Sequence, residues 1–216
     1  GGMAMFGLRR RDFILSGLST VCALPLHAQT AAKTILVVGD SLSAEYGLAR
    51  GTGWVALLVA RLADSKSPYA VVNASISGDT TSGGRSRLAA LLKQHQPAVV
   101  VIELGANDAL RGLPLGMSED NLAAMTKASQ AVGAKVLLLG MQMPPNYGAD
   151  YGKRFADMYA KVATSHKAAL VPFLLKGVAD DADPLRWFQS DRIHPLASAH
   201  PRLLDNVWPT LAKLLK

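Results

Sequence analysis

The hydrophobic positions of the chain fall in two registers. Residues 35–38 (Ile-Leu-Val-Val) are continuously apolar and rich in β-branched side chains, which predicts a short strand buried on both faces. Residues 69–73, 98–104, 135–140 and 169–174 have the same dense character and predict further strands. Between them the apolar positions spread to helical spacing. Trp54, Leu57, Leu58, Arg61 and Leu62 form one such stretch, and residues 88–92 belong to a second that Pro97 closes. Ser118 followed by Glu119 and Asp120 reads as a helix cap with acids in the first turn. Residues 150–167 read as another helix, and Leu203, Leu204, Val207 and Leu211 mark a closing one entered at Pro201. Strand and helix alternate without an internal repeat or a low-complexity linker. That pattern predicts one α/β domain on a parallel sheet. Glu103 breaks it: a carboxylate in a buried strand is expected near the exposed end or paired with a polar group.

Polar residues just past the strands are the candidates for chemistry, because open α/β sheets bind ligands beyond their carboxyl ends. Ser41 follows the first strand in Gly39-Asp-Ser-Leu-Ser43. A free hydroxyl is a weak nucleophile and needs a base, which in turn needs an orienting group. Without those partners, Asp40 and Ser41 would merely turn the chain and cap a helix. The familiar Gly-x-Ser-x-Gly elbow is absent, since Ser43 stands at the second Gly position. Gly78 follows the second strand and is either a plain turn or a point where the backbone approaches a ligand. Asn107 follows the third and is either a turn former or an oxyanion donor. Near the C-terminus, Asp191 and His194 are three residues apart and would share one face of a helical turn. Histidine is the natural general base near neutral pH.

Composition narrows the partners. The chain has 216 residues, half of them hydrophobic, enough for one domain with a sizeable core. The net charge of +7 includes Arg9, Arg10 and Arg11, and the other basic residues are scattered without interleaved aromatics, which argues against nucleic-acid binding. Cys22 is the single cysteine, so neither a disulfide framework, a cysteine metal site nor a catalytic thiol is available to the body of the chain. No Gly-x-Gly-x-x-Gly follows the first strand, which excludes a Rossmann-type nucleotide enzyme.

Residues 1–29 have the layout of an export signal: positive Arg9 to Arg11, an apolar stretch from Phe13 to Leu26, and Leu26-His27-Ala28 as a cleavage site. Arg10-Arg11-Asp12-Phe13-Ile14 also resembles a twin-arginine signal. The apolar stretch is short for a transmembrane anchor. A domain over residues 30–216 is expected to be periplasmic or secreted, with no stable membrane anchor.

Four motifs occur in order: Gly39-Asp-Ser-Leu-Ser43, Asn73-Ala-Ser-Ile-Ser-Gly-Asp-Thr80, Glu103-Leu-Gly-Ala-Asn-Asp108 and Asp191-Arg-Ile-His-Pro195. The set resembles the SGNH, or GDSL, hydrolase superfamily, and within it the bacterial thioesterase I, arylesterase and lysophospholipase group. The resemblance runs from about Thr34 to Lys216. It implies a three-layer α/β/α flavodoxin-like fold with five parallel strands in the order 2-1-3-4-5. It also implies Ser41 as nucleophile, His194 as base and Asp191 as its orienting carboxylate. The backbone N–H groups of Ser41 and Gly78 and the amide of Asn107 would form the oxyanion hole, with Asp40 and Asp108 bracing the loops. The implied activity is hydrolysis of acyl esters or thioesters through an acyl-enzyme, with no metal or organic cofactor. Arylesters, short to medium acyl chains and lysophospholipids are the implied substrates. A monomer or weak oligomer is expected. The alternatives are a carbohydrate deacetylase on the same fold and a non-catalytic lipid- or carbohydrate-binding module. The acyl chain is expected along the apolar loops after strands three and four, at Leu110, Leu113, Leu115, Met143, Pro145 and Tyr147. The chain departs from the group in carrying Glu45 and Arg192 where glycine is usual, which is expected to alter charge preference near the site.

Overall fold

A computed structural model describes residues 1–2 and 30–216, and its compact body spans Ala32–Lys216. The expected export signal and Cys22 lie outside the described residues. Five parallel strands form one sheet in the order β2-β1-β3-β4-β5. They are β1 (Lys33–Gly39), β2 (Tyr69–Asn73), β3 (Val99–Glu103), β4 (Lys135–Leu139) and β5 (Ala169–Val171). Ile35 to Val38 of β1 and Val99 to Val101 of β3 have no solvent exposure. Continuous burial of this kind follows when helices cover both faces of a parallel sheet. Those helices are α1 (Trp54–Asp64), α2 (Thr81–His95), the single turn α3 (Ala106–Leu110), α4 (Leu115–Ala131), α5 (Ala149–His166) and α6 (His200–Leu214). No helix among the described residues is long and apolar enough to cross a membrane.

The central position of β1 sets up the site. It pairs with β2 on one side and β3 on the other, with Val37 beside Asn73 and Gly39 beside Glu103. The loops leaving these three strands therefore start side by side at the carboxyl edge, where the strand order reverses direction.

Several local expectations are corrected. Helix α4 starts at Leu115, not at Ser118. Pro114 occupies the cap position, and Ser118 is buried inside the helix, donating a 2.6 Å hydrogen bond to Asp108 Oδ2. Asn107 lies within α3 rather than in an open loop. Strand β5 stops at Val171 because Pro172 has no N–H to donate to the ladder. Asp191 and His194 are not helical neighbours: Asp191 Oδ1 accepts the backbone N–H of Ile193 at 2.9 Å and of His194 at 3.0 Å, which makes an Asx turn. For Glu103 the second of the two expected alternatives holds: it is fully buried and paired with a polar group, the Ser43 hydroxyl.

Candidate active site

The turn after β1 is built by Asp40. Its Oδ1 accepts the N–H of Leu42 at 3.0 Å, and its carbonyl accepts those of Ser43 and Ala44. This curl leaves Ser41 between two buried residues, Asp40 and Leu42, with its own side chain only partly covered. Beneath it, Glu103 Oε1 accepts the Ser43 hydroxyl at 2.6 Å, and the buried Trp54 indole donates to Ser43 Oγ at 3.2 Å.

His194 reaches Ser41 from 153 residues away, with Nε2 2.9 Å from Ser41 Oγ. Its Nδ1 lies 2.5 Å from Asp191 Oδ2. Burial by itself would raise the Asp191 carboxyl. The hydrogen bonds from the His194 backbone and ring and from the Ile193 N–H outweigh it and hold the group at about 2. An ionised Asp191 can only accept, so His194 carries its proton on Nδ1 and turns the lone pair of Nε2 toward the serine hydroxyl. A hydroxyl, an imidazole and a carboxylate linked in this order can pass a proton from oxygen to nitrogen without separating charge into water.

Gly78 has φ +82°, a left-handed conformation that glycine adopts without strain. Arg111 donates to its carbonyl at 2.7 Å, fixing the loop after β2 to the end of α3. Among the described residues neither the Ser41 nor the Gly78 backbone N–H has a partner within the protein. The Asn107 amide is already engaged: Nδ2 donates to the Asp79 carbonyl at 2.9 Å and to Asp40 Oδ2 at 3.2 Å. Ser41 and Gly78 thus lie in the loops after β1 and β2, and Asn107, on α3, is held in place by Asp40 and Asp79 of those same two loops.

Asp108 braces α3 from below. It is fully buried and accepts hydrogen bonds from the Thr81 N–H at 2.8 Å, the Thr81 hydroxyl and Ser118. These partners, with Ser43, Trp54 and Arg111, are site-supporting residues that sequence reasoning missed. Only the misplaced carboxylate of Glu103 signalled that such partners had to exist.

Two carboxyl groups near Ser41 are protonated more readily than usual. Burial raises Asp40 to about 6, and burial with the neighbouring Asp40 charge raises Glu103 well above the ordinary range. Burial thus favours the neutral form of Glu103, whereas Asp40 ionises above about pH 6.

The expected acyl-chain residues are less concentrated. Leu110 is exposed, Leu113 and Leu115 are half-buried, and Pro145 and Tyr147 form a short 3₁₀ turn in which Tyr147 stacks on Tyr151 at 6.2 Å. Met143 packs against the core. A cavity of about 300 Å³ between α4 and α5 is lined by Leu115 and Met158, but by none of the other expected residues. A cavity of about 480 Å³ beside Phe173 and Asn206 lies off the Ser41 site. Neither cavity is lined by Ser41, Asp191 or His194.

Glu45 and Arg192 occupy backbone positions that favour glycine. Both sit in the left-handed region, at φ 60° and 61°. Glu45 recovers part of the cost by accepting the N–H groups of Gly51 and Gly53, each at 2.8 Å. Its carboxylate is directed at that turn.

Comparison with known proteins gives the same picture. Residues 37–202 match the model of the GDSL-like lipase/acylhydrolase family. The chain is 54% identical over 205 residues to esterase TesA of Pseudomonas aeruginosa, covering 95% of this chain and all of that one. It is 40% identical over 188 residues to an arylesterase of Vibrio mimicus, covering 87% of this chain and 92% of that one. It is 43% identical over 175 residues to thioesterase 1/protease 1/lysophospholipase L1 of Escherichia coli, with 81% of each chain covered. Among solved structures, that of TesA superposes with a TM-score of 0.81 at 56% identity, over 84% of this chain and 99% of that one. The psychrotrophic esterase EstA from Pseudoalteromonas sp., inhibited by monoethylphosphonate, gives 0.79 at 41%, over 85% and 98%. A match over most of the sheet and every site loop, with relatives of this identity along nearly their whole length, means that the chain belongs to the GDSL-like lipase/acylhydrolase family and is, as a member, an ester-hydrolysing enzyme.

Proposed function

We propose that the protein is an exported serine esterase that hydrolyses acyl esters and thioesters through an acyl-enzyme. The carrying observation is the Asp191–His194–Ser41 chain, with separations of 2.5 Å and 2.9 Å. In this reading His194 Nε2 takes the Ser41 proton as Oγ attacks the acyl carbon. Asp191 holds the imidazole in its tautomer and stabilises the imidazolium. The negative charge on the former carbonyl oxygen meets the N–H groups of Ser41 and Gly78 and the amide of Asn107. His194 then gives its proton to the leaving oxygen or sulfur, leaving Ser41 acylated. Water activated by the same imidazole releases the acid.

The acyl chain lies along the loops that carry Leu110, Leu113 and Leu115 and toward Met143, Pro145 and Tyr147, whose apolar side chains are exposed or half-buried. Short to medium acyl chains, aryl esters and lysophospholipids are the substrates proposed. Export rests on the Arg9 to Arg11 charge ahead of the 13–26 apolar stretch, with cleavage after Ala28. N-terminal sequencing of protein from the native host tests it: an intact Met3 start on cytoplasmic protein overturns export.

An ester and thioester panel, run beside Ser41→Ala, tests the activity. Turnover that disappears in Ser41→Ala, with a fluorophosphonate labelling Ser41 in the wild type, supports the reading. Activity confined to acetylated sugars would make the protein a carbohydrate deacetylase instead.

A further inference from the structure

The side chain packed on the imidazole of His194 is Tyr46, with ring centroids 4.2 Å apart and planes tilted by 38°. Nearly half of Tyr46, 49%, remains exposed. The pairing is built, not incidental. Gln189 donates its backbone N–H to the His194 carbonyl at 2.8 Å, and its side-chain amide to the carbonyls of Tyr46 at 2.9 Å and Pro195 at 3.1 Å. One residue thus ties the turn after β1 to the histidine loop. Gly47 makes room for it, since a Cβ there would stand 2.1 Å from Gln189 Oε1. The Ile193 side chain, next to His194 in the chain, is 52% exposed.

Two aspects of this arrangement need a partner. A large aromatic face is left open to solvent at the mouth of the site, although nothing in the fold requires it to be aromatic. The chemistry also fixes where one part of the substrate must lie. In acylation the Ser41 Oγ–carbon bond forms and the ester carbon–oxygen bond breaks. The departing oxygen takes the proton from His194 Nε2. The leaving group therefore lies against the imidazole, where Tyr46 is the aromatic neighbour.

The geometry points to Tyr46, flanked by Ile193, as a binding shelf for the leaving group, suited to an aromatic alcohol that stacks on the phenol ring. The shelf rests on the esterase reading and assigns its selection of aryl esters to Tyr46, through the alcohol side and independently of the acyl chain. Ring stacking of this kind corresponds to about a 3- to 10-fold preference.

The test compares kcat/KM for phenyl and ethyl esters of the same acid in wild type, Tyr46→Leu and Tyr46→Phe. That constant reports steps up to acylation, so it senses the leaving group. Tyr46→Leu is expected to lower it about 3- to 10-fold more for the phenyl than for the ethyl ester. Tyr46→Phe, which keeps the aromatic face, is expected to restore the phenyl preference. Inhibition by free phenol should weaken in Tyr46→Leu and return in Tyr46→Phe. Equal losses on both esters would mean that Tyr46 serves only to position His194, and would overturn the shelf while leaving the esterase reading intact. A wild type that hydrolyses neither ester overturns the esterase reading and the shelf with it.

Discussion

Glu103, at the carboxyl end of the central strand β3 and without solvent exposure, accepts the Ser43 hydroxyl at 2.6 Å. The pair links β3 to the turn that carries Ser41, and each residue accounts for the other. Glu103 needs a donor because a buried carboxyl without one is costly. Ser43 supplies it, which is why a serine stands where a nucleophile elbow would have its second glycine. Trp54 completes the link by donating to Ser43 Oγ, so α1, β1 and β3 meet under Ser41.

Ser43→Ala should therefore destabilise the fold by about 1–3 kcal/mol, because it strips the donor from Glu103 and the acceptor from Trp54 together. Ser43→Thr, which keeps the hydroxyl, tests whether the loss comes from the hydrogen bonds. Urea melts of both variants measure it. A Ser43→Ala protein as stable as wild type would mean that the Asp40 N–H, 3.4 Å from Glu103 Oε1, satisfies the carboxyl without Ser43.

The same cluster gives stability an unusual pH dependence. Asp40 is raised from 3.8 to about 6 by burial, and Glu103 is raised well above 4.5 by burial and by Asp40. The folded state then binds more protons than the unfolded state from about pH 4 upward, so this contribution to stability falls as pH rises through 6. Asp191, held at about 2, acts oppositely but only below pH 4, and it is largely exposed, so solvent screening weakens its effect. Glu103→Gln keeps an acceptor for Ser43 and removes one titrating group. Its stability relative to wild type should improve between pH 4.5 and pH 7.5 in paired urea melts. A constant difference across that range would argue against a protonated Glu103.

The sheet was legible in the sequence because its strands are dense apolar runs separated by stretches of helical spacing. The positions of the candidate site residues were legible because Ser41, Gly78 and Asn107 lie in the segments that follow β1, β2 and β3. What escaped reading depends on partners remote in sequence. Ser118 looks like a cap from its neighbours Glu119 and Asp120, yet its hydroxyl is used by Asp108, and Asp108 is used by Thr81, 27 residues away. Gln189 contacts Tyr46 across 143 residues, and no local pattern marks either side chain. The acyl groove was placed from loop position alone, and of its expected residues only Leu115 lines the cavity between α4 and α5.

Ser41→Ala and His194→Ala should each remove nearly all turnover while leaving the thermal midpoint close to wild type, since nucleophile and base act as one unit. Asp191→Ala should cost less turnover than either. It should also loosen the histidine loop, because Asp191 accepts the N–H groups of Ile193 and His194. Near-normal turnover in Ser41→Ala would sink the mechanism.

If the acyl chain follows the loop after α3, Leu113→Asp should weaken hydrolysis of long-chain esters more than of acetate esters. Leu113 is half-buried, so the acid can reach water and the fold should survive. Comparing kcat/KM for acetate and decanoate esters of one alcohol measures the effect. Equal losses on the two would place the chain elsewhere.

Asn107 carries the most specific expectation. In the tetrahedral intermediate the former carbonyl oxygen bears a full negative charge, and a fixed amide donor stabilises it far more than it stabilises the neutral ground state. Asn107 is fixed here by the Asp79 carbonyl and Asp40 Oδ2, at 2.9 Å and 3.2 Å. Its amide must share a hydrogen with the oxyanion, and the two acceptors set its direction beforehand. Asn107→Ala should lower kcat by about 10²–10³ with KM little changed. It should also lower stability by about 0.5–1.5 kcal/mol for each lost hydrogen bond. Asn107→Asp should be at least as damaging, because it replaces a donor with a negative charge beside Asp40. Ser41 should still react slowly with a fluorophosphonate in Asn107→Ala, since nucleophile and base remain. A residue that only braced the turn would lower the thermal midpoint and leave kcat per folded molecule unchanged. Measuring both on one Asn107→Ala sample separates the two roles, and a normal kcat with a lowered midpoint would remove Asn107 from the oxyanion hole.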